Sequence, residues 1–235
     1  MNNNIQIIIY QIVTLIPAFI LALSFRGFFR ALAAKLMGDD LPKREGFLTL
    51  NPLAHINFLG LLLILLILGV ISSMLGIAEV QSFIFIGLIL IGIRWSYVVP
   101  INVSSFKKIK LGMVLVALSG PVGEFVLALL TMYFLKYFPF KLCPLYVIKT
   151  FHSICQSTIS LAIFFGVIHL IPLPPFDGEG ILKGLAPASW GNAISWLESK
   201  SLFVFIIFIF FFDFFAVFIN TFSLYIYGLL SSLVF

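Results

Sequence analysis

The chain has 235 residues, 62% hydrophobic and 10% charged, with a formal net charge of +5 and a mean hydropathy of +1.18. Soluble domains carry about 45–50% apolar and about 25% charged residues, so a soluble core could not hide this much apolar surface and the chain reads as an integral membrane protein. The excess positive charge sits in loop lysines, and no basic helix or patch stands outside the apolar segments. That favours topology determinants over nucleic-acid binding.

A bilayer core of about 30 Å needs roughly 20 apolar residues per helix, and the pattern predicts about six spans. The polar start Met1-Asn2-Asn3-Asn4 offers no basic region, and no small-residue cleavage site follows, so the first span reads as a retained helix. It covers about 5–36, apolar at first and then amphipathic. The second covers 56–77 and holds Gly60, Gly69 and Gly76. The third covers 83–99, the fourth 112–135 and the fifth 150–171. The last covers 202–230, long enough to tilt, to kink at Asn220, or to split. Pro- and Gly-rich segments separate the spans at 38–54, 100–111 and 172–190. The fold class is therefore all-α and polytopic. It forms a single transmembrane domain over 1–235, with a core at about 12–185 and a hydrophobic helical segment at about 201–235.

The loop cations set an expected orientation. Lys35, Lys43, Arg44, Lys107, Lys108, Lys110, Lys183 and Lys200 fall on one side, and Lys136, Lys141 and Lys149 on the other. The first side is expected in the cytoplasm, with both termini opposite. The membrane would be the inner one in a bacterial cell. Cys143 and Cys155 form no metal or disulfide pattern and read as packing residues. His152 is expected to cap or flank a helix start.

Three segments carry a resemblance. The first is Leu36-Met37-Gly38-Asp39-Asp40 followed by Lys43 to Ile56, which ends in Asn51-Pro52-Leu53-Ala54-His55-Ile56. The second is Trp95 with Pro100-Ile101-Asn102, then Gly112 to Pro121. The third is His169-Leu170-Ile171-Pro172-Leu173-Pro174-Pro175-Phe176-Asp177-Gly178. In this order and spacing they resemble the site-2 protease family of intramembrane zinc metalloproteases, over roughly 12–185. The resemblance implies a helical core with zinc inside the membrane. In it, two histidines one turn apart and a later aspartate bind the metal, and a glutamate beside the first histidine activates water. Positions i and i+4 share a helix face, and three protein ligands leave zinc one open position for water.

Where that family carries His-Glu-x-x-His, this chain reads Arg26-Gly27-Phe28-Phe29-Arg30. Asp177 survives as the family's third ligand. Glu124 and His169 each stand where the family carries an asparagine. Guanidinium has no free lone pair for zinc and stays protonated, and glycine is no base. The resemblance thus implies a degenerate member with its zinc lost, and the expected cofactor is none.

Ionisable groups inside a bilayer need partners. Arg26 and Arg30 share a face, and pairing with Asp177 and Glu124 would put two guanidinium groups where zinc brought two positive charges. The competing reading is that both arginines snorkel to the boundary. His169, Asp177 and Glu124 also compose an alternative zinc set. Glu179 reads as a loop residue or as a further member of the charged cluster. Arg94 suits an interface, and Asp213 requires an interior partner or a proton. His55 is expected to support a turn by hydrogen bonding within the Asn51, Pro52, His55 loop. The Pro172, Pro174, Pro175 turn, with Asp177 and Gly178, resembles the segment that holds the peptide substrate in active relatives. Its irregular backbone is tolerated at membrane depth only inside protein or along a cavity.

The expected function is a catalytically inactive, site-2-protease-like protein that binds or regulates transmembrane clients. Its expected partners are the membrane and transmembrane proteins, not nucleic acid. The sequence leaves the oligomeric state open. Two alternatives stand beside it: an active intramembrane metalloprotease with a rearranged metal site, and a small transporter or channel.

Overall fold

The structure is a computed structural model that describes residues 3–55, 99–139 and 144–235. The expected second and third spans, with Arg94 and Trp95, lie outside these residues apart from Val99. So does Cys143, and the Asp213 side chain is likewise outside what is described. Every described element is helical. Helix α1 runs Asn3–Met37, followed by one short turn, α2, at Leu41–Arg44. Helix α3 is Ile109–Tyr137 and α4 is Leu145–His169. Helices α5 (Gly178–Leu185) and α6 (Gly191–Ser199) are short, and α7 (Ser201–Phe210) and α8 (Phe212–Val234) complete the chain.

Four helices are long and apolar enough to cross a membrane: Val13–Met37 of α1, α3, α4, and Phe214–Val234 of α8. The expected first, fourth and fifth spans correspond to α1, α3 and α4, each within several residues of its predicted bounds. The expected last span divides at Phe211 and continues unbroken through Asn220. Four of the expected six spans thus fall among the described residues, and the second and third lie outside them. His152 lies inside α4, seven residues past its first residue, and not at a helix start.

Helices α1 and α4 run parallel, with α3 antiparallel to both and all three packed against one another. Tyr10 near the start of α1 bonds Ser153 in the first half of α4. At the other end of α1 the Lys107 N–H donates to the Met37 carbonyl at 3.0 Å, which brings the entry of α3 there. The far end of α3 meets the far end of α8, where Tyr133 donates to the Leu233 carbonyl at 3.1 Å and Lys136 bonds the Val234 carbonyl. Lys35, Lys107 and Lys183 thus gather at one end, and Lys136 at the other. Which end faces the cytoplasm remains the expectation from charge.

Small residues set the helix spacing, as membrane helices without a hydrophobic drive toward each other require. Ala18, Ala22, Ala31 and Ala34 are fully buried along α1. Gly123 of α3 faces Phe29 and the Phe25 carbonyl, where an added Cβ would stand 2.8 and 2.9 Å away. Helix α5 lies on α3 through Gly180 and Gly184, one turn apart, where a Cβ would meet Ala117 at 2.8 Å and Val114 at 2.3 Å. The apolar core joins α1, α3, α4, α7 and α8 around Phe165, Ile168, Phe176 and Phe208. Large apolar side chains such as Phe214, Val217, Leu224 and Tyr225 point outward, as a lipid-facing surface requires.

The loop after α1 is closed by Asp39, which is buried. Its Oδ1 accepts from Leu41 N at 2.9 Å and its Oδ2 from Asn102 N at 2.7 Å, which staples the loop to the approach of α3. Gly38 precedes it at φ +111, with the Ser105 carbonyl 3.0 Å from any added Cβ. Only glycine combines that backbone with that approach.

Candidate functional site

Arg26, Gly27 and Arg30 sit on one stretch of α1; the two arginines face Gly120 of α3 and the turn that leads into α5, and Gly27 faces His55. The turn follows from its sequence. Pro172, Pro174 and Pro175 lack N–H groups and cannot extend α4, and the chain re-enters a helix only at Gly178, where a Cβ would lie 2.3 Å from the Ile171 carbonyl. The Pro174–Pro175 bond is cis. Asp177 stands at the head of α5, and its carboxylate reaches α1.

Both arginines converge on Asp177. Arg26 Nε donates to Oδ2 at 2.9 Å and Nη2 to Oδ1 at 3.0 Å, a two-pronged fork. Arg30 Nη1 also donates to Oδ1. Arg26 and Asp177 are 6% and 8% exposed, so this is a buried triad and the snorkelling reading does not describe Arg26. Gly120 leaves room for it, since a Cβ there would meet Asp177 Oδ2 at 2.8 Å and Arg26 Cγ at 3.3 Å.

Glu124 lies one turn beyond Gly120 and close enough to Arg26 to interact electrostatically, but its hydrogen-bond partner is different. His169 Nδ1 stands 3.1 Å from Oε1 and 3.2 Å from Oε2, with both residues at most 1% exposed. Three of the four expected cluster members therefore form the triad, and the fourth, Glu124, pairs with His169 instead, because α4 ends with His169 directed at α3 while Asp177 swings across to α1. Glu179 belongs to neither. It pairs with Lys183 at 2.7 Å, one turn on, and Lys183 also bonds Glu198 of α6. Burial and the neighbouring Glu198 push the Glu179 carboxyl up. At Lys183 burial works downward, but the two carboxylates outweigh it and hold the ammonium above its ordinary value.

His55 closes the opposite wall. Its Nε2 pairs with the Thr49 carbonyl at 2.7 Å, and Asn51 Oδ1 accepts from Leu53 N at 3.1 Å, starting the 3-10 turn at Pro52–Ala54. The imidazole lies on Gly27, and a Cβ at that position would fall 2.1 Å from Nδ1. The ring thus fills the space that a side chain at position 27 would need. Burial pushes its pKa down, only partly offset by the Thr49 carbonyl. Nδ1 has no hydrogen-bond partner among the described residues. Nothing in the motif Asn-Pro-Leu-Ala-His signals this contact with α1; a small residue at 27 was the only trace of it.

Arg26, Gly27, Arg30, His55 and Asp177 line a cavity of about 530 Å³ with Glu179, Lys183 and Glu198 also on its walls. These residues do not suit zinc. Two of the three expected ligand positions hold guanidinium, which cannot coordinate, and Asp177 has both oxygens engaged by them. The alternative set of His169, Asp177 and Glu124 does not assemble. Among the described residues no three His, Cys, Asp or Glu side chains are grouped to hold a metal ion.

No family model matches the chain, and no solved structure matches it. Among curated proteins it is similar to "Putative zinc metalloprotease YwhC" of Bacillus subtilis (strain 168), at 29% identity over 205 residues, 84% of this chain and 78% of the relative. That likeness fits a site-2-protease-like membrane protein.

Proposed function

We propose that this protein is a catalytically inactive, site-2-protease-like membrane protein that holds transmembrane segments of client proteins without cleaving them. The observation that carries the reading is the state of Asp177: the carboxylate in the metal-ligand position is engaged by Arg26 and Arg30. Metal-assisted hydrolysis needs a metal-bound water and a base. In this chain the ligand positions at 26 and 30 carry guanidinium, and position 27 carries glycine beneath a histidine ring. Support for client holding comes from the likeness over 84% of the chain and from a cavity bordered by the Pro172–Asp177 turn, the segment that resembles a substrate-holding one.

Two measurements on one preparation test this. Zinc content of the purified protein is expected to be well below one per chain, and equal in wild type and Asp177→Ala. Photo-crosslinking from position 173 in whole membranes is expected to trap intact membrane proteins. Stoichiometric zinc lost in Asp177→Ala, or chelator-sensitive fragments of the trapped proteins, would replace this reading with an active protease. The absence of any crosslinked membrane protein would remove the client-holding part.

A further inference from the structure

The cavity combines an apolar wall with a cation that is only partly satisfied. Its volume of about 530 Å³ lies within the range of small-ligand pockets, about 300–1,000 Å³. Arg26 takes both oxygens of Asp177, so one positive charge is already matched by one negative. Arg30 adds a single bond to Oδ1. Its Nε is buried with no partner among the described residues, its side chain is 17% exposed, and it lines the cavity. Glu124 is near enough to act on Arg30 through its charge, but its hydrogen bond goes to His169. At the rim Lys183 is occupied by Glu179 and Glu198. Among the described lining residues Arg30 therefore holds the spare donors. Leu23, Phe106, Val116 and Phe176 supply hydrocarbon surface around it.

A guanidinium with free N–H groups in a poorly hydrated site selects a planar anion, because two parallel bonds to a carboxylate match its fork. The surrounding apolar surface rewards a hydrocarbon body. We propose that the cavity binds an apolar ligand that ends in a carboxylate, with the carboxylate on Arg30 and the body along the apolar wall. A fatty acid and the free C-terminus of a hydrophobic peptide share that chemistry. The inference is independent of client holding, because it concerns the purified protein alone.

The test is calorimetric titration of the full chain in lipid nanodiscs, with empty discs as the partition blank. The probes are sodium octanoate, 1-octanol, and the tripeptide Leu-Leu-Leu as free acid and as C-terminal amide. Saturable binding of one acid per protein is expected, with the acid about tenfold or more tighter than its neutral counterpart, the scale of one charge-assisted hydrogen bond. Octanoate binding would point to a fatty acid, and binding of the tripeptide acid to a peptide end. Arg30→Gln is expected to weaken the acid about tenfold or more while leaving the neutral probe unchanged. Equal binding of acid and neutral probe, no saturable binding of either acid, or an Arg30→Gln protein that binds the acid as wild type does would overturn the proposal. Should Arg30→Gln fail to fold, the acid-against-neutral comparison on wild type still decides.

Discussion

Removing the Asp177 carboxylate would take from the buried Arg26 and the part-buried Arg30 the carboxylate that both hydrogen-bond. Asp177→Ala deletes three charge-assisted hydrogen bonds at once, two from Arg26 and one from Arg30. Breaking one partner out of a buried ion pair costs about 3–5 kcal/mol, mostly because the other charge stays desolvated. For a chain of this length each kcal/mol shifts Tm by about 2–4 °C, so the expected fall is about 6–20 °C. The assay is the temperature at which the detergent-purified protein loses its monodisperse elution after heating, together with its level in the membrane. A second variant separates charge from shape. Arg26→Met, Arg30→Met and Asp177→Leu together replace the triad by apolar groups, which is expected to restore most of the lost stability, since a matched buried triad gains little over good packing. An Asp177→Ala protein as heat-stable as wild type would refute the buried-triad account. So would a triple variant less stable than Asp177→Ala, because the loss would then come from packing and not from unpaired charge.

Two other outcomes are expected. Gly120→Ala places a methyl group 2.8 Å from Asp177 Oδ2, which the two arginines hold in place, whereas Gly228→Ala meets nothing within 4 Å. The first should cost about 1–3 kcal/mol as overpacking and the second should be neutral or gain about 0.5–1 kcal/mol of helix propensity; side-by-side heat stability checks this, and the reverse order would contradict the packing described. Burial holds the folded pKa of His55 below its ordinary value of 6.5, so the folded state resists protonation that the unfolded chain accepts. Its contribution is present in full above about pH 6.5 and is lost as the pH falls from there through the folded value. Wild type should therefore lose more heat stability between pH 8 and pH 5 than His55→Gln, and equal losses would assign the acid sensitivity to other groups.

Much of this protein was legible before any coordinates. The composition and the apolar runs place it in a membrane, because lipid is the only environment where such a surface is stable. The side chains at 26, 27 and 30 are guanidinium and glycine, which cannot coordinate a metal, because coordination is a property of the side chain and not of its surroundings. Partner choice was a different matter. Arg26 lies 151 residues from Asp177, and Glu124 lies 45 from His169. Coulomb attraction alone does not say which carboxylate each cation takes. The mutual packing of α1, α3 and α4 settled it, by bringing Asp177 to the arginines and leaving Glu124 to the last residue of α4. The same holds for the His55 ring on Gly27, for Lys183 bridging to Glu198, and for the division of the last apolar run at Phe211 in place of Asn220. The sequence determined which chemical groups this protein has and which it lacks. Only the tertiary structure decided which of them meet, because helix packing sets the distances on which each pairing depends.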